Sequence, residues 1–282
     1  KVLGDSGIKV IPIQKITGNP ESFDGRMKSI SFQIEGGFLF DRKNPKHRRE
    51  AKELKVPNIE IVVANLYPFE QTVRSSNVTL SQAVESIDVG GPTMVRAAAK
   101  NHQNVLVVVD PSDYEKVSEA LKKNSVSRKL RQELAAKAFA HLSFYDSQIA
   151  RFLSREQFPR ELTTPGRRAE FSLRYGENPH QKGAVYFEPN TNSPLSNLQR
   201  RIGRELSYVN ITDIASGLES VRIFGQPCAV VIKHNSPSGI ALGRDIAQAL
   251  KRAIEADPES AFGGVIVLNR PIDMKTAKAF AS

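Results

Sequence analysis

Short runs of β-branched and aliphatic residues, each followed by a stretch with helical spacing, constrain this chain most. Residues 59–65, 105–109, 229–232 and 265–268 read as buried strands, being apolar or nearly so and too short for core helices. Helical patterns lie between them. One starts at Thr79, where Gln82 completes a capping box, and another runs from Gly90-Gly91-Pro92 to about Asn101. A third, capped by Asp110 or Ser112, runs to Leu121, and a long one spans 127 to about 156. Further on, 185–187 reads as a strand, and 212–224 and 244–256 as helices, with Ile246, Leu250 and Ile254 on one face. Alternation of this kind predicts parallel βαβ units and an α/β fold. Residues 157–168, with Pro159, Thr163, Thr164, Pro165 and Gly166, read as a linker that divides the chain into 1–166 and 167–282.

Composition excludes several classes. No apolar run approaches the ~20 residues needed to span a bilayer. No secretory pattern opens the chain, and the single Cys228 precludes an internal disulfide. The expectation is a cytoplasmic globular protein with no membrane partner. The chain begins at Lys1 rather than Met and stops at Ser282 inside a helical pattern over 274–282, so a piece of a longer protein is expected. A net charge of +10 predicts anionic partners. The basic stretches 42–55, 122–131 and 200–204 carry few aromatics and no nucleic-acid-binding motif. They read as solvated faces, which leaves a phosphorylated small molecule and a polyanionic cofactor as partners, and no nucleic acid.

The second block holds the densest chemistry. Lys233 and His234 stand at the carboxyl end of the 229–232 strand, where ligands bind in open α/β sheets, and the turn 235–239 follows. An ammonium beside an imidazole disfavours the imidazolium, so His234 is suited to act as a base and Lys233 to stabilise an oxyanion. A charged strand end before a tight turn would read the same way. Arg174-Tyr-Gly-Glu-Asn-Pro-His-Gln181 offers a guanidinium for phosphate and a ring for stacking, or else forms a polar loop. Ser260-Ala-Phe-Gly-Gly264 lets backbone approach a ligand, or packs as a turn. In the first block, Ile87-Asp-Val-Gly-Gly-Pro-Thr-Met-Val-Arg-Ala-Ala-Ala-Lys-Asn-His102 places free N–H groups at a helix start, a natural anion site. Asn65-Leu-Tyr-Pro-Phe69 ends a strand.

These segments, with Gly203-Arg-Glu-Leu-Ser-Tyr-Val-Asn210 and Asp24-Gly-Arg-Met-Lys28, occur in the order found in the AICAR transformylase/IMP cyclohydrolase family, which the chain resembles. The resemblance implies a methylglyoxal-synthase-like parallel-sheet domain, then a cytidine-deaminase-like α/β subdomain lacking the deaminase zinc. No His/Cys/Cys set exists here, and no metal is expected. It implies formyl transfer from 10-formyltetrahydrofolate, a folate co-substrate, to AICAR, and ring closure of the product FAICAR to IMP in de novo purine synthesis. By the same motifs, His234 accepts the amine proton and Lys233 stabilises charge, while Arg174, Tyr175, Asn210 and Gly263 hold the nucleotide. For ring closure Lys100 moves the proton, beside Lys28, Tyr67 and Asp88, and Arg26, Ser29 and Asn65 contact the nucleotide. A homodimer is implied.

Two departures stand out. The family reads Arg-Val-Lys-Thr-Leu-His-Pro where this chain has Arg26-Met-Lys-Ser-Ile-Ser-Phe32, and Lys-Val-His where it has Gln33-Ile-Glu35 before Gly36-Gly37. A Ser-Thr-Gly-Gly phosphate loop belongs before Lys1, and a second subdomain with folate contacts and a catalytic asparagine belongs after Ser282. Low activity of the 282-residue chain alone is therefore expected. Two other readings stay open. One is a nucleotide-binding regulator without turnover, and the other is a basic nucleic-acid-binding module.

Overall fold

The computed structural model describes residues 2–75, 77–154, 159–161, 163–274 and 276–277. The chain forms two compact units, Lys1–Pro165 and Gly166–Ser282.

In the first unit the order is α1 (Val2–Asp5), α2 (Gln14–Thr17), α3 (Phe32–Leu39), α4 (Pro45–Glu53), β1 (Ile61–Val63), α5 (Phe69–Val73) and α6 (Leu80–Glu85). Then come α7 (Gly90–Lys100), β2 (Leu106–Val108), a 3-10 turn at Pro111–Asp113, α8 (Tyr114–Lys122) and α9 (Arg128–Leu153). β1 and β2 pair in parallel, Val62 opposite Val107. Residues of and beside β2 alternate between two apolar layers. Leu106 and Val108 meet Val117, Leu130 and Leu134, whereas Val105, Val107 and Val109 meet Ile34, Phe38, Val95, Ala98 and Leu142. Burial on both faces is what a parallel strand requires, and it explains the unbroken apolar run.

Local chemistry sets the helix starts. Thr79 and Gln82 form the capping box ahead of α6, and Ser127 accepts from the Leu130 N–H ahead of α9. Asp110 caps the 3-10 turn rather than an α-helix. The basic stretch 42–55 is only partly a solvated face. The Arg42 guanidinium donates to Asn58 Oδ1 and to the Ile59 and Asn104 carbonyls, tying the loop before α4 to the entries of β1 and β2. Asn101, just after α7, donates to the Phe38 and Phe40 carbonyls at the end of α3.

The second unit contains β3 (Arg167–Arg168), β4 (Tyr186–Phe187), a 3-10 turn at Pro194–Asn197, α10 (Tyr208–Arg222), β5 (Cys228–Lys233), β6 (Ser236–Leu242), α11 (Ile246–Ala256), α12 (Pro258–Ala261) and β7 (Val265–Leu268). Its three-stranded sheet runs β6-β5-β7, and both pairings are antiparallel. This differs from the parallel units expected here, because residues 236–242 return at once as a strand instead of forming a loop. β5 is central and buried on both faces. Cys228, Val230 and Ile232 meet Val221 of α10, and Ala229 and Val231 meet Ala249, Leu250 and Ala253 of α11.

Part of the expected linker is ordered: Arg167 and Arg168 pair with Phe187 and Tyr186. Residues 157, 158 and 162 of that stretch lie outside the described residues, as do 156, the expected end of the long helix, and 275 and 278–282 of the last helical pattern. Among the described residues no helix is long and apolar enough to cross a membrane.

Candidate functional site

In the first unit, the N-terminal end of α7 gathers residues from three segments. The Asp88 carboxylate accepts from the Gly91 N–H at 2.8 Å, and the Asp88 N–H donates to the Tyr145 hydroxyl at 2.8 Å. Tyr145 is buried on α9. A Cβ on Gly90 would lie 2.7 Å from Ser29 Oγ, and one on Gly91 would lie 2.4 Å from Asp88 Oδ2 and 2.9 Å from Leu66 Cδ2. A side chain at either position would push these groups away, which is the physical content of the Gly-Gly entry. Ser29 and Asp88 therefore meet at one helix start, together with Leu66 of the Asn65-Leu66-Tyr67 loop.

The neighbours extend this cluster. Lys28 pairs with Glu21 at 3.1 Å and lines a cleft of about 210 Å³ with Thr17, Asn19, Ser22 and Phe23. Arg26 pairs with Glu85, which raises the guanidinium and lowers the carboxyl from their ordinary values through the shared hydrogen bond. Asn65 Oδ1 accepts from the Tyr114 hydroxyl at 3.0 Å, and Tyr67 is exposed. Lys100 stands apart. It is the last residue of α7, on the order of 15 Å from Gly90 along the helix axis at ~1.5 Å per residue.

The departures in the 31–35 stretch have structural consequences. Ser31 Oγ accepts from the Ile34 N–H and so caps α3. Glu35 leaves Oε1 buried with no hydrogen-bond partner, and burial pushes its carboxyl up. An uncompensated buried carboxyl is costly at neutral pH.

Behind Asn65, Lys137 Nζ sits 2.6 Å from Asp110 and 2.7 Å from Asp113, in the turn that leads to Tyr114. The Lys137 hydrogen bond, helped by Ser112, lowers Asp110 from 3.8 to about 2. A depressed carboxyl contributes stability that is complete above about 3.8 and is lost as pH falls toward about 2. Lys137→Met should therefore move the onset of acid unfolding to higher pH. At neutral pH it should cost about 1 kcal/mol, since the groups are partly solvated. A circular-dichroism acid titration of both proteins checks this, and coincident curves would contradict it.

In the second unit, Lys233 and Ser236 pair across a two-residue turn, so His234 and Asn235 are its central residues, at φ 54° and 63°. Positive φ at both is the requirement of the type I′ hairpin turn, which matches the twist of the flanking strands. His234 is exposed at its tip. The turn is pinned to α10: Asp213 Oδ1 accepts from the Asn235 N–H at 2.7 Å, and Ser216 Oγ donates to the Asn235 carbonyl at 2.9 Å. Lys233 Nζ donates to the Phe262 carbonyl at 3.1 Å, beside Gly263, whose φ is +75°. Asp257 caps α12 and is held low chiefly by hydrogen bonds from Ser260, with the Lys233 charge contributing.

The start of α10 also holds the other motif. Arg174 N–H donates to the Leu206 carbonyl at 2.8 Å, and Tyr208 N–H to the Tyr175 carbonyl at 3.2 Å. The Arg174 guanidinium lies 4.7 Å from the centre of the Tyr175 ring. Asn210 Oδ1 accepts from the N–H and hydroxyl of Ser207, completing a capping box. That oxygen is engaged in helix capping. The Arg174 segment and the His234 turn thus dock on positions 206–208 and 213–216, on the order of 10 Å apart along one helix.

Sequence reasoning did not single out Asp213, Ser216, Tyr145, Tyr114 or Lys137. The Ser207-x-x-Asn210 box was a signal for Asp213 and Ser216, because it moves the helix start forward and puts both within its early turns. Among the described residues no group of three His, Cys, Asp or Glu could hold a metal ion.

A family model described as AICARFT/IMPCHase bienzyme matches residues 98–282, and one described as an MGS-like domain matches residues 1–93. The bifunctional purine biosynthesis protein PurH of Acetivibrio thermocellus is 46% identical over 284 residues, covering 99% of this chain and 55% of that protein. PurH of Oceanobacillus iheyensis is 44% identical over 280 residues, covering 98% and 55%. The crystal structure of ForH aligns with a TM-score of 0.46 at 32% identity, over 54% of this chain and 80% of that one. The chain spans about 55% of the length of the curated relatives it matches. With the bienzyme model covering well over half of its residues, the chain belongs to the AICARFT/IMPCHase bienzyme family.

Proposed function

We propose that this chain carries parts of two consecutive steps of purine synthesis, with ring closure in the first unit and formyl transfer in the second. In the second unit the AICAR amine attacks the formyl carbon of 10-formyltetrahydrofolate. His234 accepts the amine proton, Lys233 stabilises the charge on the formyl oxygen, and the folate nitrogen departs. Arg174 and Tyr175 hold the nucleotide, with Asn210 and Gly263 lining its site. The observation that carries this reading is the docking of the His234 turn and the Arg174 segment on one helix. The amine is a weak nucleophile, so a positioned base and a cation at the oxyanion are the help it needs.

In the first unit the carboxamide nitrogen of FAICAR attacks the formamide carbonyl carbon, and water leaves as IMP forms. Lys100 moves the proton with Lys28, Tyr67 and Asp88 as its neighbours, while Arg26, Ser29 and Asn65 contact the nucleotide at the α7 N-terminus. With the Gly91 N–H capped by Asp88 and Pro92 lacking one, the Gly90 N–H is the group there that suits phosphate. The full protein acts as a homodimer, with folate contacts from residues outside this chain.

The test is an assay of both reactions on the longest native polypeptide containing these residues. One arm receives AICAR and 10-formyltetrahydrofolate, and the other FAICAR. Both should turn over, and Lys28→Ala should lower ring closure alone, by about 10²-fold. Lys100→Ala should abolish ring closure alone, and unchanged ring closure in that variant would overturn its role. Binding of AICAR without turnover in either arm would favour the regulatory reading, to which the altered stretch from Ser31 to Glu35 points. Duplex binding that weakens steeply with salt would favour the nucleic-acid reading.

A further inference from the structure

The catalytic assignment leaves one buried charged group unused. Asp213 is 5% exposed, lies on α10, and directs its carboxylate at the backbone of the hairpin turn rather than toward any ligand-facing group. Ser216, one turn further along the same helix, holds the carbonyl of the same residue, in the next peptide unit. We propose that Asp213 and Ser216 are positioning residues for formyl transfer. Through the N–H and C=O of Asn235 they fix the left-handed turn that aims the His234 imidazole. The inference rests on the reading of the second unit as the site of formyl transfer.

The argument is conformational. L side chains with positive φ are disfavoured, and here two stand in succession without a glycine. Local sequence alone does not keep His234 and Asn235 in this turn, since the residue pairs that favour it strongly carry glycine in the second position. A β-bulge between Val231 and Ile232 adds irregularity just before it. The restraint comes from the helix. A short hydrogen bond from Asn235 to a buried carboxylate and a second bond from Ser216 leave the peptide on both sides of Asn235 little freedom. Loss of this restraint would let the turn relax toward another type, carrying the imbalance directly into the direction of the imidazole. Displacement of a catalytic group by about 1 Å is enough to cost about 10²-fold in rate.

The test uses the longest native polypeptide containing these residues, with thermal melts to confirm folding. Asp213→Ala should lower kcat for formyl transfer by about 10²-fold with KM for AICAR held within about threefold, and ring closure should be unchanged. Asp213→Asn keeps an acceptor oxygen and should retain kcat within about threefold. Asn235→Gly placed on the Asp213→Ala background should recover at least about tenfold, because glycine takes the left-handed turn without strain. Ser216→Ala, at a half-buried position, should lower kcat by about three- to tenfold, and it keeps the inference testable should Asp213→Ala fail to fold. Wild-type kcat in Asp213→Ala or in Ser216→Ala would overturn the inference. So would a loss confined to KM, or a loss that glycine at 235 does not relieve. A wild-type enzyme that transfers no formyl group would instead overturn the functional reading, and this inference with it.

Discussion

Replacement of His234 by alanine is expected to lower kcat for formyl transfer by about 10²–10⁴-fold, the usual worth of general acid–base help, and to leave ring closure of FAICAR unchanged. The size follows from the nucleophile, an amine conjugated with its neighbouring carboxamide, which needs its proton removed as the bond to the formyl carbon forms. The selectivity follows from placement. His234 occupies the tip of the β5–β6 turn in the second unit, whereas the cluster proposed for ring closure lies in the first unit, at α7, the 26–29 loop and the loop after β1. Lys233 is expected to behave differently from its neighbour. Its ammonium is held at the Phe262 carbonyl, so it is placed to meet charge on the formyl oxygen rather than to take a proton. Parallel rate measurements with the two substrates read the result. A His234→Ala enzyme that loses both reactions equally would contradict it.

The largest expected effect on stability comes from Phe69→Ala, about 3–5 kcal/mol against the first unit. Phe69 is 1% exposed and sits edge-on to Tyr145 at 6.3 Å and to Phe152 at 5.7 Å. Ala83, Val73, Val78, Ile87 and Ile149 complete its surroundings, so truncation leaves a cavity lined by residues of α5, α6 and α9 that cannot all collapse inward. The loss should spread to function. Tyr145 packs against the ring and accepts the Asp88 N–H, so a loosened Tyr145 weakens the hold on the residue that caps Gly91. Urea unfolding followed by circular dichroism measures the first effect, and FAICAR turnover the second. A stability change under about 1 kcal/mol would mean that Phe69 is not the centre of that cluster.

Much of the fold is legible where local chemistry decides it. The apolar run at 105–109 allows little but a buried strand, and Thr79 with Gln82 announces a helix start. β6 was not legible, because Asn235, Ser236, Pro237 and Gly239 are all turn formers. The strand tolerates Pro237 because β6 lies at the sheet edge, where a residue without an N–H is admitted. α3 carries Gly36 and Gly37 in mid-helix, which argues against a helix by propensity. Tertiary packing overrides this, since a Cβ on Gly37 would meet the Pro57 carbonyl at 2.8 Å.

The sites divide in the same way. Spacing within one motif marked Asp88 and His234 as candidates. It also joined Asp88 to Lys100, at the two ends of α7. Asp213 was hidden for the opposite reason: its partner, Asn235, is 22 residues away and is held through backbone, which no motif records.

Complementation between two variants tests most directly whether the units house separate reactions. His234→Ala and Lys28→Ala proteins, each alone with AICAR and 10-formyltetrahydrofolate, should form almost no IMP. Mixed together they should form it readily, because the Lys28→Ala protein supplies FAICAR and the His234→Ala protein closes it. A mixture as inactive as either protein alone would contradict the account.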